Sequence, residues 1–320
     1  MRILVLEFQR RYFGRGKGYK GFWSEELFRE EIARQFDDVY FHGWGYDPDW
    51  LNLIDEQRMS INYAFERYGR ADVIISPYSM KWYTDYSDID KNVLKVHTAG
   101  DFYVGNKKFR RYWKYLTYAD HDVICSPTLL ALDTLDKYNI RGKKYFLPWG
   151  FDSYYHRNLS LPKSIDVSAF YNVKPLGHAL TVYPFRIKIQ EMLHKMDGLV
   201  VETRKHNFQD YVEKINQSKI FINCNAGYKF VNPRVNEVMS CGTFLLTDRN
   251  DEFQQIGYED GKHLVLFDNL DDLKDKILYY LENEDEREEI AANGMDFVRS
   301  NFSNRHRVKR LKEIIEGNLK

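Results

Sequence analysis

The stretch Asn232-Pro233-Arg234-Val235-Asn236-Glu237-Val238-Met239-Ser240-Cys241-Gly242-Thr243-Phe244-Leu245-Leu246-Thr247-Asp248 reads as one helix followed by one strand. Asn232 before Pro233 marks the helix start: a side-chain cap, then a residue that has no N–H to satisfy at the first helical position. Gly242 marks the helix end, and Thr243–Thr247 is an apolar run of strand length. Arg234 falls in the first turn, where the helix dipole is positive and a cation is disfavoured by ~0.3 kcal/mol or more. Something anionic must offset that placement. Glu237 stands three residues on, on the same face, and a plain ion pair is one reading. Arginine before glutamate at this end runs against the dipole and is the weaker orientation. A diphosphate at the helix end and Arg234 accounts for the placement better, with Glu237 one turn deeper accepting from ribose hydroxyls.

Outward from this stretch the same alternation recurs. The first half predicts strands at Arg2–Phe8, Val39–Phe41, Val73–Ser76, Val93–Thr98, Val123–Ser126 and Lys144–Leu147. Helical patterns lie between them at Ser24–Arg34, Trp50–Tyr68, Lys107–Leu116 and Thr128–Tyr138, the last introduced by Ser126-Pro127 as cap and first helical residue. The strands are apolar on both faces, as in a parallel sheet covered by helices on each side. The pattern breaks at Leu147-Pro148-Trp149-Gly150-Phe151-Asp152, and a polar stretch runs to Lys163, which predicts a domain junction. Strands Ile165–Tyr171, Leu199–Thr203, Ile220–Asn223, Thr243–Thr247 and Leu264–Phe267 then alternate with helices Tyr183–Met196, Phe208–Gln217, Pro233–Ser240 and Leu270–Glu282. A helical tail follows, Glu284–Phe302 and Arg305–Asn318. Two successive runs of this kind predict an α/β chain of two Rossmann-like, doubly wound domains, residues 1–155 and 160–303, facing across a cleft.

Composition narrows the partners. The 320 residues carry 47 Lys+Arg against 47 Asp+Glu, so no chain-wide basic field for nucleic acid exists, although a local patch can. No run approaches the roughly 18 apolar residues of a membrane span. Met1–Glu7 is too short for a signal-peptide core. Three scattered cysteines, Cys125, Cys224 and Cys241, fit a reducing compartment and neither a disulfide framework nor a zinc site, so a cytoplasmic location is expected.

The run from Arg234 and Glu237 through Cys241-Gly242-Thr243 to Thr247-Asp248 resembles the donor-binding signature of GT-B glycosyltransferases, nearest to the group-1-like, spore-maturation (CgeB-type) family. Asp166–Phe170, Tyr183-Pro184-Phe185-Arg186, the linker Tyr145–Asp152 and the tail from Leu270 through Arg287, Gly294 and Phe302 to Arg305 follow that family's order. The resemblance spans most of residues 145–310 and is weak over 1–140. It implies that Glu237 binds the ribose and that Arg234, in the helix headed by Asn232, neutralises the diphosphate together with Arg186. Asn225 and Gly227 would line the sugar or phosphate, and His206, Asn207 and Phe208 stand where bases dock. Many relatives carry a sugar-contacting glutamate eight residues before the ribose-binding one; here Lys229 holds that place, so the contact is absent or otherwise supplied. The resemblance also implies that the terminal helix, 304–320, packs back on the first domain. A basic tail lying on an anionic membrane, Arg305–Lys312, is the alternative.

The implied chemistry moves a sugar from a nucleoside diphosphate to a hydroxyl. The departing diphosphate gains charge that fixed cations and a helix dipole stabilise, with no metal and no cofactor beyond the UDP-sugar substrate. The triplets Asp47-Pro48-Asp49, Asp88-Ile89-Asp90 and Asp120-His121-Asp122 resemble the metal-binding alternative, but none directly follows an apolar strand at its C-terminal end. A general base would come from His97-Thr98-Ala99-Gly100-Asp101, with Asp101 first and His97 second; a turn-capping aspartate is the plainer reading. Gly16-Lys17-Gly18 opens a formal GxGxxG that lies too far from its strand for a dinucleotide fingerprint and reads as a basic loop over the cleft. Lys107, Lys108, Arg110 and Arg111, interleaved with Phe109, Tyr112 and Trp113, suit a polyanionic acceptor or an amphipathic helix with its rings in the core.

The expectation is a metal-independent glycosyltransferase using a UDP-hexose, its acceptor a glycan, a protein, a small molecule or a hydroxymethylated DNA base. A nucleotide-sugar epimerase or hydrolase, and a non-catalytic nucleotide-sugar or nucleic-acid binding protein, are the other readings.

Overall fold

The computed structural model describes residues 1–6, 24–43, 49, 52–54, 60–77, 86–99, 115–117, 119–171, 184–204, 206–225 and 230–319. The chain divides into two compact units, one built on Glu25–Pro148 with the N-terminal strand and Arg307–Lys320, the other on Trp149–His306.

The first unit carries β1 (Ile3–Leu6), β2 (Val39–His42), β3 (Val73–Pro77), β4 (Leu94–Thr98), β5 (Val123–Ser126) and β6 (Lys143–Phe146) in one sheet of order β2-β1-β3-β4-β5-β6. Every pairing in it is parallel. Strands whose alternate residues are all apolar need cover on both sides. Ile3, Val5, Val73, Ile75, Leu94, Val96 and Val123 pack against α1 (Ser24–Gln35) and against Val308, Leu311, Ile314 and Ile315 of the last helix. Leu4, Ile74 and Ile124 face the other way, toward α2 (Ile61–Tyr68) and α3 (Leu129–Lys137).

Two helix starts differ from the sequence expectation. Ser60 caps α2, its side chain accepting from the Tyr63 N–H, so the helix begins well inside the expected Trp50–Tyr68 span, and 52–54 are not α-helical. Thr128, not Ser126, caps α3 by accepting from the Ala131 N–H at 3.3 Å. Ser126 is consumed as the last residue of β5, and its hydroxyl bonds the Thr128 carbonyl at 3.1 Å.

The second unit holds β7 (Ile165–Ser168), β8 (Val201–Glu202), β9 (Ser218–Asn223), β10 (Phe244–Asp248) and β11 (Val265–Phe267), all parallel, in the order β11-β10-β9-β7-β8. Helices α4 (Pro184–Leu193), α5 (Phe208–Asn216), α6 (Pro233–Ser240), the single turn α7 (Glu252–Gln255), α8 (Leu270–Glu282) and α9 (Glu284–Asn301) cover it, and α10 (Asn304–Glu316) closes the chain. Period-two alternation sorts the faces. Ile220 and Ile222 meet Ile189 and Leu193 of α4 and Leu273 and Ile277 of α8, whereas Phe221 meets Val212 and Ile215 of α5 and Val235, Val238 and Met239 of α6. β7 and β8 are shorter than expected because their ladder ends at Ser168–Glu202, where Glu202 turns back to bond the Arg204 backbone N–H at 2.9 Å.

In both units the winding reverses beside the first strand, β1 next to β3 and β7 next to β9. Ligands of doubly wound sheets lie outside the C-terminal strand ends at such a reversal. In the second unit the C-terminal ends of β7 and β9 and the start of α6 meet there.

Candidate functional site

Asn232 caps α6 in extended conformation, its Oδ1 accepting from the Arg234 N–H at 3.0 Å. The Val235 N–H bonds the Asn232 carbonyl at 3.2 Å, and Pro233 has no N–H to offer. The first amides of the helix are thus already partnered. This end offers an anion its dipole and the Arg234 guanidinium rather than free backbone donors.

A network of short polar side chains fixes that helix end to the strands. Asn232 Nδ2 donates to Asn223 Oδ1 at 3.1 Å and to Asn225 Oδ1 at 2.5 Å. Asn223 donates in turn to Thr247 Oγ1 at 3.0 Å, and Asn225 bonds Asp248 Oδ1 through its backbone N–H at 2.8 Å and its side chain at 3.0 Å. Burial raises the pKa of the Asp248 carboxyl, and the Asn225 amide works against the rise. Asn225, expected at the sugar or phosphate, has its side chain bonded here to Asp248 and Asn232.

Arg234 and Glu237 share a face of α6 but make no ion pair with each other, and no described carboxylate lies within ion-pair distance of Arg234. The Arg234 Nε is buried without a hydrogen-bond partner. Glu237 is instead held from another helix, where the Tyr211 hydroxyl of α5 donates to its Oε2 at 2.9 Å. Burial and the Glu237 charge raise the Tyr211 pKa well above 10.0, and the Arg234 guanidinium lies within electrostatic reach of the same phenol. The plain ion-pair reading of Arg234 and Glu237 is therefore excluded in this structure. What remains is a fixed carboxylate and, one helical turn away, a cation that meets the same phenol but has no carboxylate partner among the described residues.

Arg186, near the start of α4, donates through Nε and Nη2 to the Cys224 carbonyl at 2.9 and 2.5 Å and lies 5.4 Å from the centre of the Tyr171 ring. It is anchored at the end of β9 rather than spread on a solvated helix surface. His206 packs edge-on against Phe170 at 4.8 Å, with Nε2 3.6 Å from Glu202 Oε1. The Arg204 side chain pulls the Glu202 carboxyl down to about 2. Asn207 caps α5 by accepting from the Asp210 N–H at 3.1 Å, and Phe208 opens that helix.

His97 is a correction. It is 2% exposed on β4, its Nδ1 3.1 Å from Ser76 Oγ, and its ring stacks on His121 at 4.7 Å beside Tyr115. Burial lowers its pKa to about 3, so it is a neutral core side chain, not a base facing an acceptor. The carboxylates of Asp120-His121-Asp122 are taken by Lys95, whose Nζ lies 2.9 Å from Asp120 and 3.9 Å from Asp122. Among the described residues no group of three or more His, Cys, Asp and Glu is arranged to hold a metal ion. Asp101, Gly16, Lys17, Gly18, Lys107, Lys108, Arg110, Arg111, Gly227 and Lys229 lie outside the described residues. No described helix is long and apolar enough to cross a membrane, and the three cysteines are buried and unbridged.

Tyr211 and Asp248 are the site residues that sequence reasoning left without a role. Tyr211 sits 26 residues before its partner on an amphipathic helix, where an aromatic reads as core.

The family model described as glycosyl transferase-like matches residues 177–313. No curated protein matches the chain. Among solved structures, an Anabaena protein, Alr3699/HepE, in complex with UDP is 14% identical, covers 99% of this chain and 100% of its own, and superposes with a TM-score of 0.65. Sucrose-phosphate synthase from Thermosynechococcus elongatus is 12% identical over 99% of this chain and 98% of its own, with a TM-score of 0.64. An alpha-glucosyltransferase in complex with UDP-glucose and DNA containing an abasic site is 12% identical over 99% of both chains, with a TM-score of 0.60. At these identities the likeness is one of architecture, and it extends over the full chain: the fold is that of the GT-B glycosyltransferases.

Proposed function

We propose that the second unit binds a UDP-sugar and that the protein transfers its hexose to a hydroxyl acceptor in the cytoplasm, without a metal, as a member of the CgeB-type group. The observation that carries this is the pair on α6: Arg234 without a carboxylate partner among the described residues, and Glu237 one turn on with its carboxylate held by Tyr211. An acceptor of hydroxyl hydrogen bonds beside an unmatched cation suits a ribose joined to a phosphate. Relatives in fold bound to UDP and to UDP-glucose support uridine as the base and glucose as the first sugar to try. Charge growing on the departing diphosphate would meet the Arg234 guanidinium, the positive end of α6 and Arg186 anchored beside β9. Asp101 is the proposed base for the acceptor hydroxyl.

A thermal-shift series with uridine, adenosine and guanosine diphosphates and UDP-glucose tests this. Stabilisation by UDP and UDP-glucose, lost in Arg234→Ala and Glu237→Ala, is the expected result; indifference to every nucleoside diphosphate removes the proposal. Release of UDP from UDP-glucose would then be followed with a glycan, a protein and hydroxymethylated DNA offered in turn. The DNA arm is included because one relative in fold was solved with DNA. Release without any acceptor would favour a hydrolase.

A further inference from the structure

We infer that Tyr211 is a positioning residue that fixes the Glu237 carboxylate through one oxygen and leaves the other to distinguish a ribose from a sugar lacking its hydroxyls. This rests on the nucleotide site proposed above. The Tyr211 hydroxyl lies 2.9 Å from Glu237 Oε2, and no described side chain bonds Oε1. The tyrosine is itself rigid: its backbone N–H bonds the Asn207 carbonyl at 2.8 Å in the first turn of α5, and its ring packs 5.9 Å from that of Phe170. Its raised pKa keeps the phenol a donor across the physiological range.

A free glutamate samples several rotamers and would have to be ordered by the arriving nucleotide. One tethered beforehand presents its second oxygen in a set direction, and the ordering is already complete. Such an acceptor discriminates by absence: a sugar without the hydroxyl leaves a half-buried carboxylate oxygen with no donor. The Arg234 guanidinium also meets this phenol hydroxyl, but its attraction for a phosphate is the same whether or not the sugar carries hydroxyls, so the ratio of the two nucleotide affinities within one variant reads hydroxyl discrimination alone.

Titration of the full chain with UDP and with 2′,3′-dideoxy-UDP tests the inference. Wild type is expected to prefer UDP by about tenfold or more. Tyr211→Phe keeps the ring against Phe170 and removes the hydroxyl; its preference should fall to within about threefold, UDP binding weakening more than dideoxy-UDP binding. Tyr211→Met is the second variant should the first fail to fold. Glu237→Gln should lose the preference as well, and the Tyr211→Phe, Glu237→Gln double variant should lose no more than either single one. A Tyr211→Phe protein that retains the full preference, or that weakens both nucleotides equally as a loosened fold would, overturns the inference. Equal binding of both nucleotides by wild type overturns it at the level of Glu237. Absence of binding by wild type to either nucleotide removes the underlying site instead.

Discussion

Two buried polar clusters, one in each unit, occupy sheets wound in the same order and are finished differently. In the first, the Tyr86 hydroxyl bonds Ser76 Oγ at 2.9 Å, Ser76 meets His97, and His97 stacks on His121, whose two ring nitrogens are buried without hydrogen-bond partners. In the second, the Asn223, Asn225, Asn232 and Asp248 side chains bond one another, and the unsatisfied group is the Nε of Arg234. The first cluster leaves neutral imidazoles enclosed between a sheet and its helices. The second leaves a cation at a strand-end helix start, next to a tethered carboxylate. Unsatisfied groups in a closed core cost stability, whereas the half-buried Arg234 stands at a strand-end helix start, where the ligands of such sheets lie.

The contrast can be broken at its strongest point first. Arg234→Ala should weaken UDP binding by about 100-fold, as expected for loss of a charged hydrogen-bonding partner, while any alanine substitution in the His97 cluster that still folds should leave UDP affinity unchanged; titration calorimetry on both distinguishes them. Acid is the next largest lever. His97 is held neutral with a folded pKa of about 3 against 6.5 when unfolded, so its contribution is complete above 6.5 and is lost as pH falls toward 3. Linkage puts the loss near 2 kcal/mol at pH 5 for this histidine alone. His121, shifted the same way by burial, adds to it. Urea unfolding at pH 7 and pH 5 measures the difference, and identical midpoints would refute the assignment. Asn232→Ala removes the α6 cap and the bonds to Asn223 on β9 and to Asn225 beyond it, for an expected loss of about 1 kcal/mol in stability together with weaker UDP binding. Arg249, exposed between Asp260 and Asp268, sharpens the lower end: Arg249→Ala should change stability by under about 1 kcal/mol and leave UDP binding alone.

How much of this was legible in advance depends on how local each feature is. The strands of both sheets follow from apolar runs such as Val123–Ser126 and Phe244–Asp248, because burial on two faces leaves little room for polar residues. Arg234 and Glu237 could be paired from sequence because they share one helical turn, and the dipole argument against their mutual ion pair agrees with their separation in the structure. Register is not local. Whether His97 faces a ligand or a core depends on its lying beside Ser76 on β3 and Ile124 on β5, and no property of the segment 97–101 encodes that. Tyr211 was missed for the same reason, since its partner comes from a different helix. The choice between Ser126 and Thr128 as cap turned on where β5 stops, which its neighbours on the sheet decide.

One wall of the first sheet is supplied from the far end of the chain, where Val308, Leu311, Ile314 and Ile315 complete the core around Ile3, Val5 and Val96. A polypeptide ended after Pro148 would expose an oily seam along β1, β3 and β4 and should aggregate when expressed alone. Supplying 304–320 separately, or fused by a short linker, ought to restore solubility. During synthesis, too, this half cannot mature until the ribosome has finished the final helix, so nascent-chain quality control has an interval in which to act on it.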